Sequence, residues 1–150
     1  MASLILLIGI KNIMSKQAYT YYSLDILHIG HIKMMKKCRE IIGLEGKLIA
    51  GILTDKAIKE KKLKPILCFK ERFEIASSIK FFDQVIPQET YSPLDNIKKI
   101  KPDILMESSS HEKKEIIKLE EYMKNFNGKV IVVPYYNGQS STKIKKTIWK

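Results

Sequence analysis

Cysteine, arginine and histidine are all scarce in this chain of 150 residues, and each scarcity removes a class of explanation. The two cysteines, Cys38 and Cys68, show no C-x-x-C spacing and have no companion histidines, which excludes a disulfide scaffold and a zinc finger. Free thiols of this kind fit a reduced, cytoplasmic setting. Although the formal charge is +11, only Arg39 and Arg72 are arginines, so lysine carries almost all of it. Base-reading and two-pronged phosphate grips favour the planar guanidinium fork. With no aromatic residues interleaved in the lysine run and no RNA-binding strand signature, nucleic acid is not expected as the main partner. Long apolar runs are lacking too: Ala2 to Ile10 is apolar but falls well short of the roughly 18–20 residues a membrane span needs. It also lacks the basic lead and small-residue cleavage site of a secretory signal, so no membrane partner is expected.

What is present is a regular alternation of short apolar runs with helical periods, the pattern of strands and crossover helices in one α/β domain. The apolar fraction of 45% suffices for a core, and no linker or repeat interrupts the chain. Residues 1–13 read as an extension and residues 14–150 as the domain. Strands are expected at Ala18–Tyr22, Lys47–Leu53, Gln84–Ile86 (stopped by Pro87), Asp103–Met106 and Val130–Val133. Helices are expected at Ile29–Ile42, Phe69–Lys80, Pro93–Ile100, Glu112–Phe126 and Thr142–Trp149, with a lysine-dense loop or frayed helix over residues 56–64. Five strands alternating with helices predict a Rossmann-like, doubly wound parallel sheet, in which ligands bind beyond the carboxyl ends of the strands.

The run Asp25-Ile-Leu-His28-Ile-Gly30-His31 falls at such an end, between the first strand and the first helix. Histidines three apart in a first helical turn aim at a common point, where the helix dipole also attracts anions. Gly30 between them leaves room for a phosphate to approach the backbone. At the far end of the chain, Gly138-Gln-Ser140-Ser141-Thr142-Lys-Ile144 opens a helix with hydroxyls, which serve equally as an N-cap or as a phosphate cradle.

These two segments resemble the cytidylyltransferase superfamily of nucleotidyltransferases, with its H-x-G-H motif and its G-I-S-[ST]-[ST]-K-I signature, over about residues 17–148. The resemblance implies that His28 and His31 stabilise charge on the phosphates as pyrophosphate leaves, aided by Mg²⁺. It places the nucleotide against Tyr22, Ser23, Leu24, Gly30, Ser108, Ser140, Ser141 and Thr142. Thr54-Asp55, Lys62 and Arg72 are similar to the family's T-D-E run, mobile loop lysine and E-R motif. Lys62 is chosen by its register with Pro65, although Lys59, Lys61 and Lys64 compete for that role. Lys33, Arg72 and Tyr135 are implied at the phosphates or the acceptor. Asp25 is implied to orient a histidine, to join the Mg²⁺ shell, or to close a turn.

Three further segments, Val85–Thr90, Lys101–Asp103 and Pro134–Thr142, look like the phosphonate cytidylyltransferases. Tyr135 replaces the arginine usual in the glycerol-3-phosphate branch. The resemblance thus implies CMP transfer from CTP to 2-aminoethylphosphonate or 2-hydroxyethylphosphonate by a homodimer. The chain departs from the family after the fourth strand, where Glu107-Ser-Ser-Ser110 replaces G-D-D-W and keeps an adenylyltransferase reading open. A nucleotide-binding protein without turnover is the alternative from another class.

Overall fold

A computed structural model describes residues 16–149. The extension read at residues 1–13 lies outside the described residues. Five parallel strands, β1 (Gln17–Tyr22), β2 (Lys47–Leu53), β3 (Gln84–Gln88), β4 (Ile104–Ser108) and β5 (Lys129–Val133), form one sheet in the order β3-β2-β1-β4-β5. Six helices join them or close the chain: α1 (Ile29–Ile42), α2 (Asp55–Lys59), α3 (Phe69–Ser77), α4 (Leu94–Ile100), α5 (Lys113–Lys124) and α6 (Ser141–Ile148).

Alternation along the strands decides which helix packs on which face. Ala18, Leu48, Ile104 and Met106 point to one side, where Cys38, Met34 and Ile41 of α1 cover them. Tyr22, Leu24 and Ile52 continue that layer under Met35 of α1 and Ala76 and Phe73 of α3. Their neighbours in sequence, Tyr19, Ile49 and Leu105, point to the other side against Ile97 of α4 and Leu119 and Met123 of α5. The sheet is therefore covered on both faces, as parallel sheets require. The strand order reverses direction between β1 and β4, and the crevice above their carboxyl ends is the place for a ligand.

One expectation from the sequence needs correction here. Pro87 does not stop the third strand but lies inside it, opposite Ile52. β3 is an edge strand with β2 as its one neighbour, so a residue without an N–H is accommodated where that bond is not needed. The stretch 56–64 begins with a true helical turn, α2, because the Thr54 hydroxyl accepts from the Ala57 amide at 3.2 Å.

Arg72 is the second correction with consequences for function. Its side chain is completely buried and does not reach the crevice. The guanidinium donates to the carbonyls of Ser23 (2.6 Å), Leu53 (2.7 Å) and Leu67 (3.1 Å), and pairs with Asp55 at 2.7 Å. It thereby ties the carboxyl ends of β1 and β2 to the loop that leads into α3. Four of its five N–H donors are committed to those carbonyls and to Asp55, and the buried side chain is not placed to grip a phosphate in the crevice.

Arg72→Leu leaves three inward carbonyls and one carboxylate without their donor, and a loss of about 3–5 kcal/mol in urea unfolding is expected. Asp55→Asn removes only a half-exposed partner and is expected to lower stability by about 1 kcal/mol or less.

Candidate active site

The first turn of α1 is closed by the histidines themselves. His28 is the N-cap residue: its Nδ1 accepts from the Gly30 amide at 3.0 Å, while His31 Nδ1 accepts from the His28 amide at 3.3 Å. This reciprocal capping fixes the tautomers, because a neutral imidazole that accepts at Nδ1 carries its proton on Nε2. The two rings lie 3.9 Å apart between centroids, and both offer Nε2–H donors. Burial lowers the His28 imidazole from its ordinary range. Burial, followed by the charges of His28 and Lys62, lowers His31 to about 4. Both rings are therefore neutral donors at pH 7. Gly30 serves them by its size: a Cβ there would meet the His28 ring at 2.8 Å and displace the cap.

The other end of the chain meets this turn directly. Ser141 Oγ donates to the Ile26 carbonyl at 3.1 Å, and Lys145, one helical turn further along α6, pairs with Asp25. Asp25 also accepts from the amides of Ile66 (2.8 Å) and Leu67 (2.9 Å). Burial raises the Asp25 carboxyl, yet the Lys145 ammonium and the amides of Leu67 and Ile66 outweigh it and hold the group below the ordinary carboxylate range. Ser140 caps α6 by accepting from the Lys143 amide at 3.1 Å, which leaves the amides of Ser141 and Thr142 free at the helix start.

These groups line one cleft of about 1060 Å³, large for a single small ligand and roomy enough for two substrates. Of the residues singled out in the sequence, Tyr22, Ser23, Leu24, Asp25, His28, Gly30, His31, Lys62, Ser108, Tyr135, Ser140, Ser141 and Thr142 all line it. Leu24 sits there in the left-handed backbone region (φ 54°), buried under α1 and α3. Tyr22 has its ring edge against His31, with 6.3 Å between centroids. Its phenol is pushed well up by burial and bonds inward to Thr20. Among Lys59, Lys61, Lys62 and Lys64, the first three line the cleft, and it is the charge of Lys62 that acts on His31.

Two residues stand apart from the cleft. Arg72 is buried in the frame described above. Lys33 lies 4.0 Å over the Tyr136 ring, outside the lining, so it can act on the site only through that ring. Asp25 does line the cleft, but Lys145 and two amides hold its oxygens and no histidine is among its partners. No cluster of three metal-binding side chains occurs among the described residues.

Residues not singled out complete the cleft. Lys145 shares a face of α6 with Ser141 at i,i+4, a signal that helical spacing carries. His111, with Glu107 and Tyr21, forms a hydrogen-bonded group on the opposite side of the sheet crest. Nothing in the local spacing announces it, because it depends on β1 and β4 being neighbours.

A parallel sheet with a cleft at its switch point and a helix start beside it is the ligand-site layout of an open α/β protein. The cytidylyltransferase-like family model matches residues 22–147, and the chain belongs to that family. It is 32% identical over 135 residues to the bifunctional protein HldE of Campylobacter concisus, covering 89% of this chain and 27% of that protein. The bifunctional protein HldE of Helicobacter hepaticus is 32% identical over 136 residues, again covering 89% of this chain and 27% of the relative. The chain thus spans about a quarter of the length of these curated relatives. Among solved structures, the lipopolysaccharide core biosynthesis protein of Thermoplasma volcanium superposes with a TM-score of 0.69 at 21% identity, covering 83% of this chain and 98% of that one. No described helix is long and apolar enough to cross a membrane.

Asparagine keeps an acceptor where each capping Nδ1 stands but removes the Nε2–H. His28→Asn and His31→Asn are therefore expected to stay folded, with a melting midpoint close to that of the native chain at neutral pH. His31 is neutral in the folded chain down to about pH 4, whereas an unfolded histidine takes up a proton near 6.5. The unfolded state binds more protons across that window, so stability is full above pH 6.5 and declines as the pH falls toward 4. Melting scans are expected to show this decline in the native chain and a shallower one in His31→Asn.

Proposed function

We propose that the chain transfers a nucleotidyl group, AMP from ATP, to a phosphate oxygen on a small phosphorylated acceptor and releases pyrophosphate. The observation that carries this reading is the meeting of the two Nε2–H donors with the free amides of α6 in one cleft. An acceptor phosphate oxygen forms a bond to the α-phosphorus as the bond from that phosphorus to the leaving pyrophosphate breaks. No covalent enzyme intermediate is needed, so positioning and charge stabilisation are the whole contribution. His28 and His31 donate to oxygens whose charge grows on the way to the transition state. The start of α6 receives phosphate oxygens at its amides and at the hydroxyls of Ser140 and Thr142. Lys62 supplies a positive charge from the exposed loop after α2.

Two considerations set ATP ahead of CTP, and both weaken the phosphonate cytidylyltransferase expectation. Glu107–Ser110 replaces the acidic run that the cytidylyltransferase resemblance relies on, and Ser108 is engaged with Ser110 at 2.8 Å within its own loop. The relatives named above are HldE proteins, not phosphonate cytidylyltransferases. As to the acceptor, a phosphorylated sugar suits the basic rim and accords with the lipopolysaccharide core role named for the Thermoplasma protein.

CTP with a phosphonate stays the second reading because Tyr135 stands at the mouth of the cleft where the glycerol-3-phosphate branch has arginine. Pyrophosphate release should be measured for ATP, CTP, GTP and UTP against sugar 1-phosphates, 2-aminoethylphosphonate, 2-hydroxyethylphosphonate and glycerol 3-phosphate. Turnover is expected with ATP and a sugar phosphate. Turnover confined to CTP with a phosphonate would establish the second reading, and nucleotide binding with no turnover in any pair would make the chain a binding protein.

A further inference from the structure

Residues from both faces of the sheet line the cleft, which gives it two sides or lobes, and a hydrogen-bonded group that nucleotidyl transfer does not use borders the second. Tyr22 and the α1 histidines belong to the face covered by α1 and α3, whereas Tyr21 points to the opposite face and packs with Leu53, Ile58 and Tyr91. Above Tyr21, the Glu107 carboxylate accepts from the Tyr21 hydroxyl at 2.7 Å and from His111 Nδ1. Glu107 is 1% exposed, while the His111 side chain is about one-third exposed and lines the cleft. Burial, reinforced by the Glu107 charge, pushes the Tyr21 phenol far up, so it remains a donor.

A buried carboxylate that holds one imidazole nitrogen and is itself braced by a phenol fixes the ring's orientation and tautomer. Nδ1 is committed to Glu107, which leaves Nε2 as the ring nitrogen available to a ligand in the cleft. Lys61, 5.2 Å from the centroid of the Tyr91 ring, and Lys59 line the cleft as well. One lobe thus offers a flat aromatic wall, an oriented imidazole nitrogen and ammonium groups.

We infer that His111 is an acceptor-binding residue, its Nε2 forming a hydrogen bond with the phosphorylated acceptor, with Glu107 and Tyr21 as positioning residues. The inference rests on the nucleotidyltransferase reading for the identity of the two substrates. It adds that they occupy opposite lobes, with the triphosphate at His28 and His31 and the acceptor at His111.

Two measurements separate the inference from the reading it builds on. In NMR titrations of the native chain with imidazole nitrogens labelled, glucose 1-phosphate is expected to shift His111. ATP alone is expected to shift His28 and His31 but not His111. In steady-state kinetics with the acceptor found active, His111→Phe and Glu107→Gln are each expected to raise the acceptor KM at least tenfold, with the ATP KM changed less than twofold. Their double variant should show little beyond the larger single effect, as expected for two residues acting through one ring. His111→Gln, which returns a hydrogen-bonding group near the Nε2 position, should recover part of the loss, a recovery that a purely structural role would not give.

The inference is overturned if ATP alone shifts His111, if no phosphorylated acceptor of the panel shifts it, or if the KM for ATP is the one that rises. Pyrophosphate release with an unresponsive His111 would sink the inference and keep the reading. A responsive His111 without turnover in any pair would do the reverse.

Discussion

The site depends on one carboxylate. Asp25 receives the amides of Ile66 and Leu67 and the ammonium of Lys145, so a single side chain joins the loop after β1, the approach to α3 and the closing helix. These segments are remote in sequence, and each brings a different part of the cleft: the histidines, the end of the lysine loop and the α6 amides. Closing such long loops has an entropic cost that must be offset by contacts between the segments themselves. A buried carboxylate with three donors is well suited to that, because any one donor lost leaves charge poorly compensated in a low-dielectric setting.

Arg72 does from below what Asp25 does from above. It gathers the carbonyl ends of β1 and β2 by their backbone and so sets the level from which the loops rise. Leu24 next to Ser23 takes the left-handed conformation between these two anchors, and its side chain is driven into the core while the chain turns up toward His28. Strain of that kind persists where the surroundings over-determine the backbone. The frame is rigid for a reason that chemistry supplies: imidazoles help a phosphoryl-type transition state only when their protons already point to where charge will appear.

Much of this was legible in the sequence, and the parts that were not share a cause. Helical and strand periods locate the elements to within a few residues, as for Ile29–Ile42 and Lys47–Leu53, because each period reflects one buried face. The histidine pair and the hydroxyl run are readable since their geometry is local to one helical turn. Arg72, one of two arginines and at a family motif position, looks like a ligand grip in the sequence because nothing local reveals that three carbonyls converge on it. Asp25 looked like a partner for a histidine or a metal, whereas its partners come from positions about forty and 120 residues away. That Tyr21 braces the Glu107–His111 pair comes from strand order, which periodicity does not encode. Pro87 was read as a stop because a proline's tolerance depends on whether its strand has a neighbour on that side.

The reciprocal capping by His28 and His31 ties two properties that most proteins keep separate. The atoms that begin the helix and the atoms offered to the substrate are opposite corners of the same two rings, so one protonation event alters both. A proton added at Nδ1 to gain a cation near a triphosphate would also undo the first turn of α1. Selection acting on this pair therefore has little freedom to trade durability against turnover: a residue that improves one without the other must imitate one corner of an imidazole and discard its opposite.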